Sequence, residues 1–234
     1  MKKRTLTTIA GVSLLGLTGL STNALAAVSS TANSTNHIVF EAGEEVTNPI
    51  DPTNPDNPNP SDPIDPTDPT NPGTGNEGSL TIDYVSNIEF GTQKTASGTM
   101  IYHAQNENPF VQVTDKRGTG SGWNLTAKAT EFKSLDGSKT LKGAELTFKN
   151  GVLKTQTENI SPAPENTDVT FNNSDSQMMV NAKENTGRGT WLNVFSGELG
   201  NNENVQLKVL PGTADTNVDY TATINWELAD APMQ

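Results

Sequence analysis

From Val218 to Leu228 the chain alternates without a break. Val218, Tyr220, Ala222, Ile224, Trp226 and Leu228 are apolar, and Asp219, Thr221, Thr223, Asn225 and Glu227 between them are polar. Successive side chains of a β-strand point to opposite faces, so this period of two lays one set on a core and the other in water. A helix would scatter the same residues around its circumference. The pattern recurs where Trp123, Leu125, Ala127 and Ala129 alternate with Asn124, Thr126, Lys128 and Thr130. Two strands are therefore expected, each with a Trp-x-Leu pair on its apolar face.

Shorter runs of the same kind occur at Leu80 to Tyr84, Phe110 to Thr114 and Val205 to Leu210, bounded by turn-type residues. Leu146 to Leu153 reads as a hairpin turning at Asn150-Gly151, the pair that favours a type I′ turn. No stretch sustains a helical period with caps. The expected fold is all-β, a single sandwich or barrel-like domain over residues 79–234.

Ahead of that domain the composition changes. Nine of the 14 prolines lie between Pro49 and Pro72, in Asp-Pro or Asn-Pro steps roughly every third residue. Proline fixes φ and pushes the residue before it into extended backbone, which predicts polyproline II and an extended linker over 48–78. At about 3.1 Å per residue the proline run would reach roughly 70 Å. A period of three also lines its Asp side chains along one edge, but a free strand offers no cage for an ion, so a solvated stiff spacer is the better reading. Residues 27–47 form an N-terminal arm with one apolar cluster, Ile38-Val39-Phe40, either a lone strand that pairs with the domain or an unpaired tip.

At the start, Lys2, Lys3 and Arg4 precede a short apolar stretch from Leu6 to Leu20, and Ala24-Leu25-Ala26 supplies small residues for cleavage. These are the parts of an export signal, expected to be removed after Ala26. No later segment has membrane length, and the C-terminal Ala231-Pro232-Met233-Gln234 carries no sorting motif or hydrophobic tail. Attachment to a surface is therefore expected to be noncovalent, without direct membrane insertion.

Charge and chemistry narrow the function classes. The net charge of −12 offers no basic face for nucleic acid. With no Cys there is no disulfide, thiolate metal site or Cys nucleophile. The two histidines, His37 and His103, have no Gly-x-Ser-x-Gly elbow to serve, and the Gly118 to Gly122 run lacks the Lys and helix of a phosphate loop. Neither an enzyme nor a cofactor or metal is expected.

The segment Tyr220-Thr-Ala-Thr-Ile224-Asn225-Trp226-Glu-Leu228-Ala-Asp-Ala-Pro232, with Trp123-Asn124-Leu125 upstream, resembles the WxL family of Gram-positive surface proteins. Asn225 departs from the Thr usual there, on the solvent face. The resemblance extends over the chain that follows the leader. It implies a secreted protein held noncovalently at the cell surface, through peptidoglycan or another wall glycan. Its implied companions are sorted wall proteins and membrane-anchored proteins of the same surface complex. The rival reading is an adhesin or complex subunit that binds a host ligand or partner surface protein through the same domain.

The motif residues Trp123, Leu125, Tyr220, Ile224, Trp226, Leu228 and Pro232 then have two readings. The tryptophans stack on sugar rings, or the Trp-x-Leu pairs weld two strands in the core. Alternation aligns each Trp with aliphatic neighbours and weighs toward the core. In that case surface contacts fall to other groups, for which Tyr102, His103 and Trp191 are the candidates.

Overall fold

The computed structural model describes residues 28–61, 64–172 and 175–232; the expected leader, residues 1–26, lies outside them. The chain divides between Val39 and Phe40 into two units. In the first, residues 28–39 are exposed and carry no regular element. No strand forms at Ile38-Val39-Phe40, where exposure is 74, 74 and 83%.

Among the described residues strands form only in the second unit, and they pair antiparallel throughout. The first sheet runs β1 (Leu80–Val85), β3 (Phe110–Asp115), β11 (Gly189–Val194), β7 (Val152–Lys154). The second runs β14 (Ile224–Ala229), β4 (Trp123–Ala129), β10 (Gln177–Ala182), β8 (Glu165–Asn166). The third runs β2 (Met100–Ala104), β12 (Asn202–Val209), β6 (Glu145–Phe148), β9 (Val169–Phe171). A two-stranded ribbon joins β13 (Tyr220–Thr221) to β5 (Lys133–Ser134). This is the all-β architecture that the alternation predicted. The three larger sheets share one core, to which β3 gives Val111 and Val113, β4 gives Leu125 and Ala127, and β6 gives Phe148. Phe148 meets Phe171 and Phe195 edge-on, at 6.2 and 5.1 Å between ring centres.

Two local expectations are corrected. Asn150-Gly151 does not close a hairpin, because β6 pairs with β12 and β9 while β7 pairs with β11 in another sheet. Asn150 does take positive φ (54°), but its N–H donates to Asp168 Oδ1 at 2.7 Å and its side-chain amide to Asn204 Oδ1 at 2.9 Å. Those long-range bonds steer the turn from one layer to the next. The second correction concerns Val218 to Leu228, which divides at Ala222-Thr223 into β13 and β14. Thr223 N–H donates to Thr130 Oγ1 and its carbonyl accepts from Thr130 N–H, both at 2.9 Å, so the chain changes partner there while its alternation of burial continues.

The largest difference lies in residues 48–78. Their described part, residues 48–61 and 64–78, is not an extended spacer but a strap of tight turns laid on the first sheet, within the unit that starts at Phe40. Backbone N–H groups of Asn57, Asp68 and Asn71 donate to the carbonyls of Asn54, Asp65 and Asp68. In each of these turns proline occupies the second position, after an Asn or Asp. Asp51 Oδ1 accepts from the N–H of Thr53 and Asn54 at 2.8 and 3.1 Å, and Asp65 Oδ1 from that of Thr67 at 2.9 Å. An Asx side chain that satisfies the backbone two residues on, followed by proline with φ preset, is the chemistry of a β-turn. At the steps from Asn54, Asp65 and Asp68 it turns the strap instead of extending it.

Apolar contact then holds the strap down. Ile50 and Ile64 pack on Tyr84, Phe110, Leu192 and Val194, a second core on the outer face of the first sheet. Tyr84 and Phe110 stack there at 4.5 Å. With the main core on its other side, β3 is buried at all six positions. A strand covered on both faces belongs to a three-layer arrangement, whose outermost layer here is the strap.

Candidate functional site

The two Trp-x-Leu strands are neighbours. In the ladder of β4 with β14, Leu125 faces Leu228, Ala127 faces Trp226 and Ala129 faces Ile224. Period-two geometry puts all of these, with Trp123, on the core side of the second sheet. Asn124, Thr126 and Lys128 take the other side, as the alternation predicted.

The motif residues are not equally enclosed. Trp123 is 1% exposed and Leu125 fully buried. The indole Nε1 of Trp123 donates to Gly187 carbonyl oxygen at 2.9 Å, which satisfies its one polar atom inside the core. Gly187 is required there. It has φ of 69°, and a Cβ on it would stand 3.0 Å from that indole nitrogen and 2.6 Å from the Ala182 Cβ. A ring so enclosed cannot lie against a sugar. Trp226, Leu228 and Ile224 are half-buried on β14, the edge strand, and Tyr220 and Pro232 are half-buried beyond its two ends.

A latch that periodicity does not reveal closes the seam. Arg117, just after β3, forks onto Asp115, with Nε to Oδ1 at 3.0 Å and Nη2 to Oδ2 at 2.8 Å. The same guanidinium donates to the carbonyls of Gly122 at 2.7 Å and Asp230 at 3.2 Å. One side chain thus joins the end of β3, the approach to Trp123 and the residues after Leu228, and the Asn124 amide adds a bond to Ala231 carbonyl. The sequence signal is Asp115-Lys-Arg117 before a glycine loop, which resembles any exposed charged turn.

Of the surface candidates, Trp191 is corrected. It is 6% exposed, paired in register with Val113, and its indole donates to Arg188 carbonyl at 3.0 Å. It stood out in the sequence as a polar-capable aromatic, but its strand β11 lies between β3 and β7, inside a sheet. Tyr102 and His103 are half-buried on β2, an edge strand, and point to opposite faces. Tyr102 Oη donates to Lys94 carbonyl at 3.0 Å and lines a cavity of about 120 Å³ with Met100 and Leu210. His103 Nδ1 lies 2.8 Å from Asn201 Oδ1. Tyr102 packs on the small core of Leu141, Leu207 and Val209 that the motif residue Tyr220 also meets.

Among the described residues, no group of three or more His, Cys, Asp or Glu side chains is placed to hold a metal ion, and no helix is long and apolar enough to cross a membrane. A family model described as "WxL domain surface cell wall-binding" matches residues 27–232. Searches of curated proteins and of solved structures found no match.

Proposed function

Since this chain belongs to the WxL family of surface cell wall-binding domains, we propose that it is exported and held noncovalently on the wall by binding peptidoglycan. The observation that carries the reading is the extent of the match. It spans residues 27–232, and the folded unit begins at Phe40 with the strap inside it. Within this chain, wall binding is therefore a property of the β domain and strap together. The basic, apolar and small-residue segments of residues 1–26 support export, and residues 27–234 follow as the mature chain.

Bulk charge does not drive the contact. Removing three cations leaves the mature chain at −15, from 12 basic and 27 acidic residues, and Gram-positive walls are themselves anionic. Specific short-range contacts must outweigh that repulsion, so binding holds or strengthens as salt screens it. The test is to mix the mature chain with washed, protein-free walls and centrifuge across a series of NaCl concentrations. Co-sedimentation that persists supports the proposal. Binding only to cells whose surface proteins are intact supports the rival reading of an adhesin or complex subunit docked on a partner.

A further inference from the structure

On the outer face of the first sheet, walled by Thr47, Asp56 of the strap and the loop Gln156 to Asn159, lies an open cleft of about 840 Å³. Its size is within the range of small-ligand sites, roughly 300–1,000 Å³. Its lining is hydroxyl, amide and charged, with no aromatic ring and no large aliphatic side chain. Its side chains present hydrogen-bonding groups to a ligand.

The floor has a defined hydrogen-bond polarity. Asp83 is 1% exposed beneath it and accepts from Thr81 Oγ1 at 2.6 Å, Gln112 Nε2 at 2.9 Å and Thr114 Oγ1 at 2.5 Å. Thr114 has one hydroxyl hydrogen and spends it on Asp83. Its oxygen must therefore accept from Thr190 Oγ1, 2.9 Å away. The relay ends in the Thr190 oxygen, an acceptor in the cleft backed by a buried carboxylate and strengthened along the chain. It suits a ligand hydroxyl or amide N–H.

Two charged side chains of the walls are tied into hydrogen bonds. Asp56 on the strap accepts the N–H and hydroxyl of Thr157, and Lys116 Nζ donates to Glu45 carbonyl. One carboxylate and the only cation of the lining are thus used in closing the cleft. Gln156 and Glu158 stand exposed on the rim. A remaining negative group disfavours phosphate polymers, while the amide and hydroxyls match a neutral ligand rich in hydroxyl and acetamido groups.

We propose that this cleft is a subsite for a neutral amino-sugar oligosaccharide, the glycan strand of the wall polymer. It rests on the reading of the domain as a peptidoglycan binder. Thr190 accepts a ligand hydroxyl or amide hydrogen, and Gln156 and Glu158 bind from the rim.

The test titrates the ¹⁵N-labelled mature chain with a β-1,4-linked N-acetylglucosamine tetramer. Amide shifts centred on Thr190 and Gln156 to Asn159 are expected. Thr190→Val, which keeps the shape and removes the acceptor, should weaken binding about tenfold, the value of one hydrogen bond. Glu158→Arg, on the exposed rim, should block the cleft without altering the melting temperature. Shifts elsewhere, no shifts at millimolar tetramer, or equal binding by both folded variants would overturn the proposal. So would a free stem peptide that perturbs the same amides when the tetramer does not. Walls that pellet wild type and Glu158→Arg equally would remove the subsite and leave wall binding intact. Tetramer bound in the cleft without pelleting on walls would do the reverse.

Discussion

Leu125 and Leu228 stand opposite each other in the β4–β14 ladder, so the two Trp-x-Leu pairs meet at their leucines. Their tryptophans fall at different points along one seam. Trp123 lies beyond the leucine pair, and Trp226 sits across from Ala127, a large side chain against a small one. The paired motif is thus a device for packing two strands.

Truncating the tryptophans should have unequal effects. Trp123→Ala empties a sealed site and orphans the Gly187 carbonyl, for an expected loss of about 3–5 kcal/mol. Trp226→Ala, at a half-buried edge position, should lose about 1–2 kcal/mol. Urea melts followed by circular dichroism give both values. A Trp123→Ala chain of native stability that no longer pellets with walls would refute the core role.

Removing the strap should open the fold. A chain starting at Ser79 uncovers Tyr84, Phe110, Leu192 and Val194 and should bind a hydrophobic dye and melt at a lower temperature. One point of attachment among several is Gln112, whose amide accepts from Ile50 N–H at 2.9 Å and donates to Asn48 carbonyl at 3.1 Å. Gln112→Ala should cost about 2 kcal/mol and raise hydrogen exchange at the Ile50 amide. Unchanged exchange there would mean that the strap is held elsewhere.

The strap should also be visible in a titration. Burial, with the Asp65 carboxylate nearby, pushes the Tyr84 phenol up to about 12. Because this acid's folded pKa lies above its unfolded value of about 10, its contribution to stability is complete below pH 10 and lost as pH rises towards 12. The loss by pH 12 is between about 2 and 3 kcal/mol. Ultraviolet titration should show a late tyrosinate step that disappears in Tyr84→Phe. A Tyr84 step near pH 10 would contradict its enclosure.

Arg117→Ala should cost about 3 kcal/mol, because it leaves the 1%-exposed Asp115 side chain without its cation and frees the carbonyls of Gly122 and Asp230. Arg117→Lys returns a charge but not the planar fork, so only part of the stability should return. Denaturant midpoints of the three chains check the order. Equal midpoints for wild type and Arg117→Lys would show that charge alone suffices.

Much of this architecture is legible in the sequence. Alternation at Trp123 to Ala129 and Val218 to Leu228 identified the strands, the inward faces and the all-β class, because strand geometry makes every second residue a neighbour in space. The family resemblance rested on the same residues. The surface candidates were less secure. Tyr102 and His103 lie on an edge strand, but Trp191 is inside a sheet, and aromatic character alone does not distinguish the two.

Local chemistry fixes the strand periodicity, the Asx-Pro steps and the Trp-x-Leu faces in the sequence. The tertiary structure alone decided where those pieces met. It carried Asn150-Gly151 between layers, set Leu125 against Leu228, and folded the strap onto β3, where Ile50 and Ile64 bury apolar surface. Each outcome depends on contacts between residues far apart in the chain, whose energies are decided only when the sheets assemble. Local propensity at an Asp-Pro step is compatible with both an extended spacer and a turn, and the uncovered face of the first sheet selects the turn.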